Sequence, residues 1–240
     1  MEDMSISKQV KAKIEKIKSG TIFGLSDFSS IGHPQAVALE LSRLSKKGQI
    51  ERLTKGKYFV PNETRFGKAG PSEDQIVENI IKESGGYLAG LSALNRLGVT
   101  TQVPSQITIR GARSTRALKI GDLEVQFFRQ GNIDADYTKP EITDILESVR
   151  LIKNTPDGSP ESVLAKVTSV LKRMPSSERI SLIHLLLNER PFVRAILGAL
   201  LEGLGVKAAQ EIKSTLNPMT EYKIGIKKMP FPKMKGWRIS

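Results

Sequence analysis

Helical and strand-like hydrophobic patterns alternate over the first half of the chain, and beyond Pro140 only the helical period remains. Ile6, Val10, Ile14 and Ile17 recur at helical spacing, which predicts a first helix over Ser5 to Lys18 with Ser5 or Ser7 as its cap. Its other face carries Lys8, Lys11, Lys13, Lys16 and Lys18. Thr21-Ile22-Phe23 predicts a short strand, and Asp27 to Ile31, capped by Ser26, a short second helix. Gly32-His33 turns the chain into a third helix, Pro34 to Lys47, with Val37, Leu41 and Leu44 along one face. Gly48 stands where a left-handed C-cap ends a helix, behind Lys46 and Lys47 in the last turn. Two strands follow, Gln49 to Leu53 and Lys57 to Val60, joined by Thr54-Lys55-Gly56 in a tight hairpin.

A helix that runs directly into a basic-tipped hairpin is the sequence shape of a winged helix-turn-helix. Such a helix fits the DNA major groove, and the hairpin reaches a neighbouring phosphate. With Val37, Leu41 and Leu44 inward, the outward face is Gln35, Ala38, Leu39, Ser42 and Lys46. Gln35 suits a bidentate contact to adenine, Ala38 and Leu39 suit a thymine methyl, and Ser42 suits a base or a phosphate. Arg43, Lys46, Lys47, Arg52, Lys55 and Lys57 suit phosphates, which position a protein without reading sequence. Taken singly, each basic residue is equally well read as solvated surface. Winged helices also serve as protein-interaction modules, the main rival to DNA contact.

Asn62 to Pro71 reads as a polar linker. Ser72 and Gln75 have capping-box spacing ahead of a helix striped by Ile76, Val77, Ile80 and Ile81 and ended by Gly85-Gly86. Tyr87 to Ala89 predicts a strand and Leu91 to Leu97 a helix. Gln106 to Arg110, Ala117 to Ile120 and Leu123 to Arg129 predict three more strands, with Gly121-Asp122 as the turn between the last two. Arg110, Arg113, Arg116 and Lys119 on this sheet form a second basic surface, suited to DNA or to an acidic partner patch. Four helices follow: Pro140 to Lys153, Pro160 to Arg173, Ser177 to Asn188 and Pro191 to Leu204. The expected fold class is α+β: a winged helix-turn-helix over 1–65, then a domain over 72–205, then a basic tail over 206–240. The middle domain holds a small antiparallel sheet at about 87–130 and a helical bundle at about 140–205.

Charge sharpens this division. Residues 1–65 hold 12 Lys+Arg against 7 Asp+Glu, residues 66–206 hold 17 against 16, and residues 207–240 hold 8 against 2. Basic ends flanking a nearly neutral body favour polyanion contact at the ends. In the tail, Trp237, Phe231 and Tyr222 suit base stacking or a partner groove, against a locally docked tail as the plainer reading. The chain has no cysteine and no apolar run of membrane-spanning length, so a cytoplasmic protein without disulfides is expected.

The run "SDFSSIG", then "AVALELSRLSKKGQIERLTKGKYFVP", then "GLSALNRLGVTTQVP" and "ITIRGARSTRALKIGDLEVQFFR" resembles the AbiEi-type antitoxins of bacterial type IV toxin–antitoxin systems. The resemblance spans about residues 5 to 190. Its most telling parts are Leu41-Ser42-Arg43-Leu44, the Gly48-Gln49-Ile50 exit, Gly56-x-Tyr58 and Thr101-Gln102-Val103-Pro104. Glu40 departs from the family pattern, which has a small apolar residue there. The resemblance implies an N-terminal domain that binds double-stranded operator DNA and represses its own operon, with two copies on adjacent half-sites. It further implies a C-terminal region that counteracts a nucleotidyltransferase-like toxin, by binding it or by opposing its effect. The alternative is a stand-alone winged-helix regulator of a phage or mobile element, with a dimerising C-terminal domain.

Catalysis has little to stand on. No phosphate-binding loop, dinucleotide fingerprint or His/Cys metal cluster occurs, and neither His33 nor His184 neighbours a nucleophile motif. Asp134 and Asp136 sit in a polar connector, where a metal-dependent nuclease needs a further carboxylate. No enzyme activity, metal or cofactor is expected.

Overall fold

The fold class is α+β, as the alternating patterns predict. A computed structural model describes residues 5–65, 67–112, 115–129, 139–226 and 232–240. Its contacts divide the chain into two units, Met1–Glu83 with Ile120–Leu123, and Ser84–Lys119 with Glu124–Ser240. The first unit therefore runs beyond the expected boundary at residue 65.

In the first unit, α1 (Ile6–Ile14) is followed by β1 (Ile22–Gly24), a 3₁₀ turn (Leu25–Phe28), α2 (Pro34–Lys46), β2 (Glu51–Thr54) and β3 (Lys57–Phe59). The strands form one antiparallel sheet in the order β1-β3-β2. Val10, Ile14, Phe23, Phe28, Val37, Leu41, Leu44, Ile50 and Tyr58 make its core, so the stripes read from α1 and α2 face one another across it. Gly48 takes φ +68 and the Gln49 amide donates back to the Leu44 carbonyl at 3.1 Å, the left-handed cap that the sequence predicts.

Two segments depart from expectation. The second helix is only a 3₁₀ turn, because the Asp27 carboxylate accepts from the Gly24 amide at 2.7 Å and tightens the chain there. The linker is instead a hairpin, β4 (Asn62–Thr64) and β5 (Gly67–Ala69), whose Lys68 Nζ donates to the Gly48 carbonyl at 2.7 Å beside the end of α2. Then α3 (Glu73–Ser84) begins with the expected capping box: the Ser72 amide donates to Gln75 Oε1 at 2.8 Å, and the Gln75 amide to Ser72 Oγ at 3.3 Å.

The second unit is built around a sheet of β6 (Tyr87–Ala89), β7 (Gln106–Ala112), β8 (Arg116–Ile120) and β9 (Leu123–Arg129), in the order β6-β7-β9-β8. The expected antiparallel sheet is mixed. β6 and β7 are antiparallel, but β7 and β9 run parallel, because β8 passes to the far side of β9 before the chain turns back.

Helices α4 (Leu91–Leu97), α5 (Pro140–Arg150), α6 (Pro160–Arg173), α7 (Ser176–Leu186), α8 (Pro191–Gly203) and α9 (Ala209–Ser214) complete the unit. Every residue of α5 from Ile142 to Val149 is buried, polar ones included. No helix among the described residues is long and apolar enough to cross a membrane.

The tail docks on its own unit. Tyr222 bridges Ile239, and Trp237 lies buried against Gly198 of α8. A methyl group on Gly198 would overlap the Trp237 ring, so Gly198→Ala, which usually favours a helix, is expected to destabilise by about 1–3 kcal/mol through overpacking. Urea denaturation followed by tryptophan emission checks this.

Candidate nucleic-acid interface

One face of α2 is core and the other is open. Gln35 and Leu39 are exposed, Leu39 by 55%, and Ala38 and Ser42 are half-buried. Together with exposed Lys46 they form a single stripe, since positions 35, 39, 42 and 46 advance by three or four residues, about one helical turn, at each step. The helix is 13 residues long, about 20 Å by its axial rise, so the stripe matches the reach of a groove-bound helix. His33 occupies the N-cap position with no side-chain cap, which leaves it a turn residue.

Basic residues border that stripe. Arg43, Lys46 and Lys47 are exposed on the last turns of α2. Arg52 is exposed on β2, and Lys55 is exposed at the hairpin tip next to Gly56, which takes φ +77. Lys57 differs from the expectation. Its ammonium is ion-paired with Glu83 of α3 and its stem lies against Gly24, so it is turned away from the hairpin tip.

Glu40 lies on the buried side of α2. Its carboxylate accepts from Ser7 Oγ of α1 at 2.8 Å and sits 3.6 Å from Arg43 Nη1. A charged residue at this core position is thus partnered, and it ties α1 to α2 while the register of the helix stays as read.

Three of the four residues of the second basic surface have local partners. Arg110 donates through Nε to Glu147 of α5 at 3.1 Å. Arg116 stacks over the Phe127 ring, 4.6 Å from its centroid, and Lys119 lies 3.6 Å from Glu124. Arg113 falls outside the described residues, as do Asp134, Asp136 and Phe231.

Sequence reasoning misses the charged interior of the second unit. Glu147, only 1% exposed, accepts from Arg110, from the Gly90 amide at 3.1 Å and from Arg150 Nη1. Arg150 also donates to Tyr87 Oη at 2.8 Å, and through Nε and Nη2 it forks onto Glu189. Burial alone would lower the Arg150 pKa, but the hydrogen bond and charge of Glu189, with Tyr87 and Glu147, raise it instead. Burial pushes the Tyr87 hydroxyl upward against the lowering pull of Arg150. Asp144 is likewise raised by burial, opposed by a bidentate bond from Arg96 at 2.6 and 2.7 Å. The only sequence signal is Asp144, Glu147 and Arg150 at intervals of three within an apolar stretch.

A protein-family model described as a family of unknown function, DUF6088, matches residues 9–179. The chain belongs to the DUF6088 family. Among solved structures, the crystal structure of the RV2827C protein from Mycobacterium tuberculosis is similar over 97% of this chain and 89% of that one, with 12% identity and a TM-score of 0.48. No curated protein matches. The DUF6088 match covers the open face of α2, its hairpin, and all members of the buried network except Glu189. α8, α9 and the docked tail lie outside it.

Proposed function

We propose that this DUF6088 chain is the antitoxin and transcriptional autorepressor of a type IV toxin–antitoxin system, of the AbiEi kind, with a winged helix-turn-helix in its first unit. The observation that carries the DNA half is the open stripe of α2. An exposed leucine flanked by Gln35 and Ser42 and bordered by Arg43, Lys46, Lys47, Arg52 and Lys55 has the chemistry of a major-groove reading face. α2 is then the recognition helix and β2–β3 the wing. Lys57 serves the fold through Glu83 and is left out of the phosphate contacts.

The antitoxin half rests on the resemblance of the sequence motifs to those of the AbiEi-type antitoxins. Within Thr101-Gln102-Val103-Pro104, Gln102 Nε2 donates to Asp157 at 2.9 Å beside the Thr100 Oγ1 bond to the same carboxylate at 2.8 Å, and Asn95 Nδ2 donates to the Gln102 carbonyl at 3.2 Å. That bonding holds Val103 out at 84% exposure, a form suited to a partner surface. Co-expression with a nucleotidyltransferase-like product of the adjacent gene tests it: growth is rescued by this chain, and unchanged growth arrest contradicts the reading.

The DNA half has its own discriminating experiment. Gln35→Ala is expected to cost about 1–3 kcal/mol on the promoter of the chain's own operon and little on random duplex. Lys55→Ala weakens both alike and lowers the salt slope by about 1. Fluorescence anisotropy on both duplexes separates the two patterns, and equal losses on the two duplexes for Gln35→Ala contradict base reading by this face.

A further inference from the structure

The segment from Ile6 to Lys18 carries five lysines, and they are not equivalent. Lys13 serves the fold: its ammonium donates to the Asp27 carbonyl and lies 5.3 Å from the centroid of the Phe28 ring. Lys8, Lys11, Lys16 and Lys18 are exposed, and none of these four is ion-paired among the described residues.

Lys8 and Lys11 differ from the other two by position. Ser7 Oγ donates to Glu40 Oε1 at 2.8 Å, which ties α1 to α2, and Glu40 Oε2 lies 3.6 Å from Arg43 Nη1. Lys8 follows Ser7 directly, and Lys11 lies one turn further along the same side of α1 as Ser7. At the start of α1, Ile6 packs on Gly32, where a Cβ would come within 2.9 Å of Ile6 Cδ1. The first turn of α1 thus abuts the turn that leads into α2 and Gln35. The Glu40 carboxylate is buried at this seam while Arg43 is exposed, so the seam shows solvent its cations. Lys16 and Lys18 come after the last turn of α1, about 10 Å or more beyond Ser7 by the helical rise.

In the free chain this placement is unfavourable. Lys8 stands in the first turn of α1, at the positive end of the helix dipole, and that turn holds no acidic residue. Lys8 and Lys11 are also like charges three residues apart on one helix. A row of phosphates relieves both. We propose that Lys8 and Lys11 bind backbone phosphates of the duplex alongside the groove that α2 enters, extending the contact across the Ser7–Glu40 seam beyond α2 and its hairpin. Phosphates position a protein without identifying bases, so the two lysines supply affinity and no sequence preference. The inference rests on the reading of α2 as the groove-bound helix.

Fluorescence anisotropy of the full chain on promoter and random duplexes, over a range of salt, tests it. The double variant Lys8→Gln/Lys11→Gln is expected to flatten the salt slope by about 1.8 and to weaken both duplexes alike, by roughly tenfold or more near 0.1 M salt. Glutamine matches lysine in helix propensity, so the thermal midpoint of the variant should be unchanged or slightly raised. Lys16→Gln/Lys18→Gln removes the same net charge beyond the seam and should flatten the slope by less than half as much. An unchanged slope in the first variant, an equal loss in the second, or a loss confined to the promoter would each overturn the inference and leave the reading of α2 intact. Failure of that reading looks different, since Gln35→Ala would then weaken both duplexes equally. A wild-type chain that holds neither duplex would overturn both.

Discussion

Replacing Glu147 with alanine is expected to lower the stability of the second unit by about 3–5 kcal/mol, the usual cost of leaving a buried ion without its partner. Glu147 is held between Arg110 and Arg150 and also accepts the Gly90 amide. Its removal takes the carboxylate partner from Arg110 and leaves Arg150 with the Glu189 carboxylate alone. For a chain of this size the midpoint of thermal unfolding should fall by roughly 10 °C. Trp237 lies in the same unit, so its emission follows the relevant transition. Replacing Tyr87, Arg110, Glu147, Arg150 and Glu189 together by apolar residues of matched volume should recover most of that loss, because a removed network leaves no orphaned charge. A loss below about 1 kcal/mol for Glu147→Ala would mean that the pair counts for no more than a surface salt bridge.

The second large effect concerns DNA. Lys46, Lys47, Arg52 and Lys55 replaced together by alanine should remove about four phosphate contacts per copy and flatten the salt slope by about 3.6. At moderate salt this amounts to loss of detectable binding to any duplex. The four side chains are exposed and none is ion-paired in the structure's described contacts, so the variant should keep its fold and thermal midpoint. An unchanged salt slope would place the polyanion contact elsewhere on the chain.

The sequence shows α2 and its hairpin clearly because local signals agree there: the apolar period, Pro34, Gly48 and Gly56 all specify the same geometry. The β4–β5 hairpin is illegible, since its strands are three residues long, Asn-Glu-Thr and Gly-Lys-Ala, and carry no large apolar residue. Lys57 looks like a phosphate contact because its partner Glu83 lies 26 residues away on a different helix. Helix α5 looks amphipathic, with Ile142, Ile145, Leu146 and Val149 on one side. Periodicity cannot reveal that its polar side is covered as well, where Arg96 meets Asp144, Arg110 meets Glu147 and Arg150 meets Glu189. The parallel pairing of β7 with β9 is hidden for a similar reason, because chain order favours neighbouring strands as hairpins while the actual order depends on where β8 lands.

The open face of α2 is expected to lie against base edges when the protein holds its promoter. A photo-crosslinking amino acid placed at Leu39 in the full-length chain tests this most directly. Irradiation of the complex with promoter duplex should join residue 39 covalently to the DNA at a defined base step. Full promoter occupancy without a crosslink from position 39, or the same occupancy by a chain lacking residues 5–65, would contradict the account.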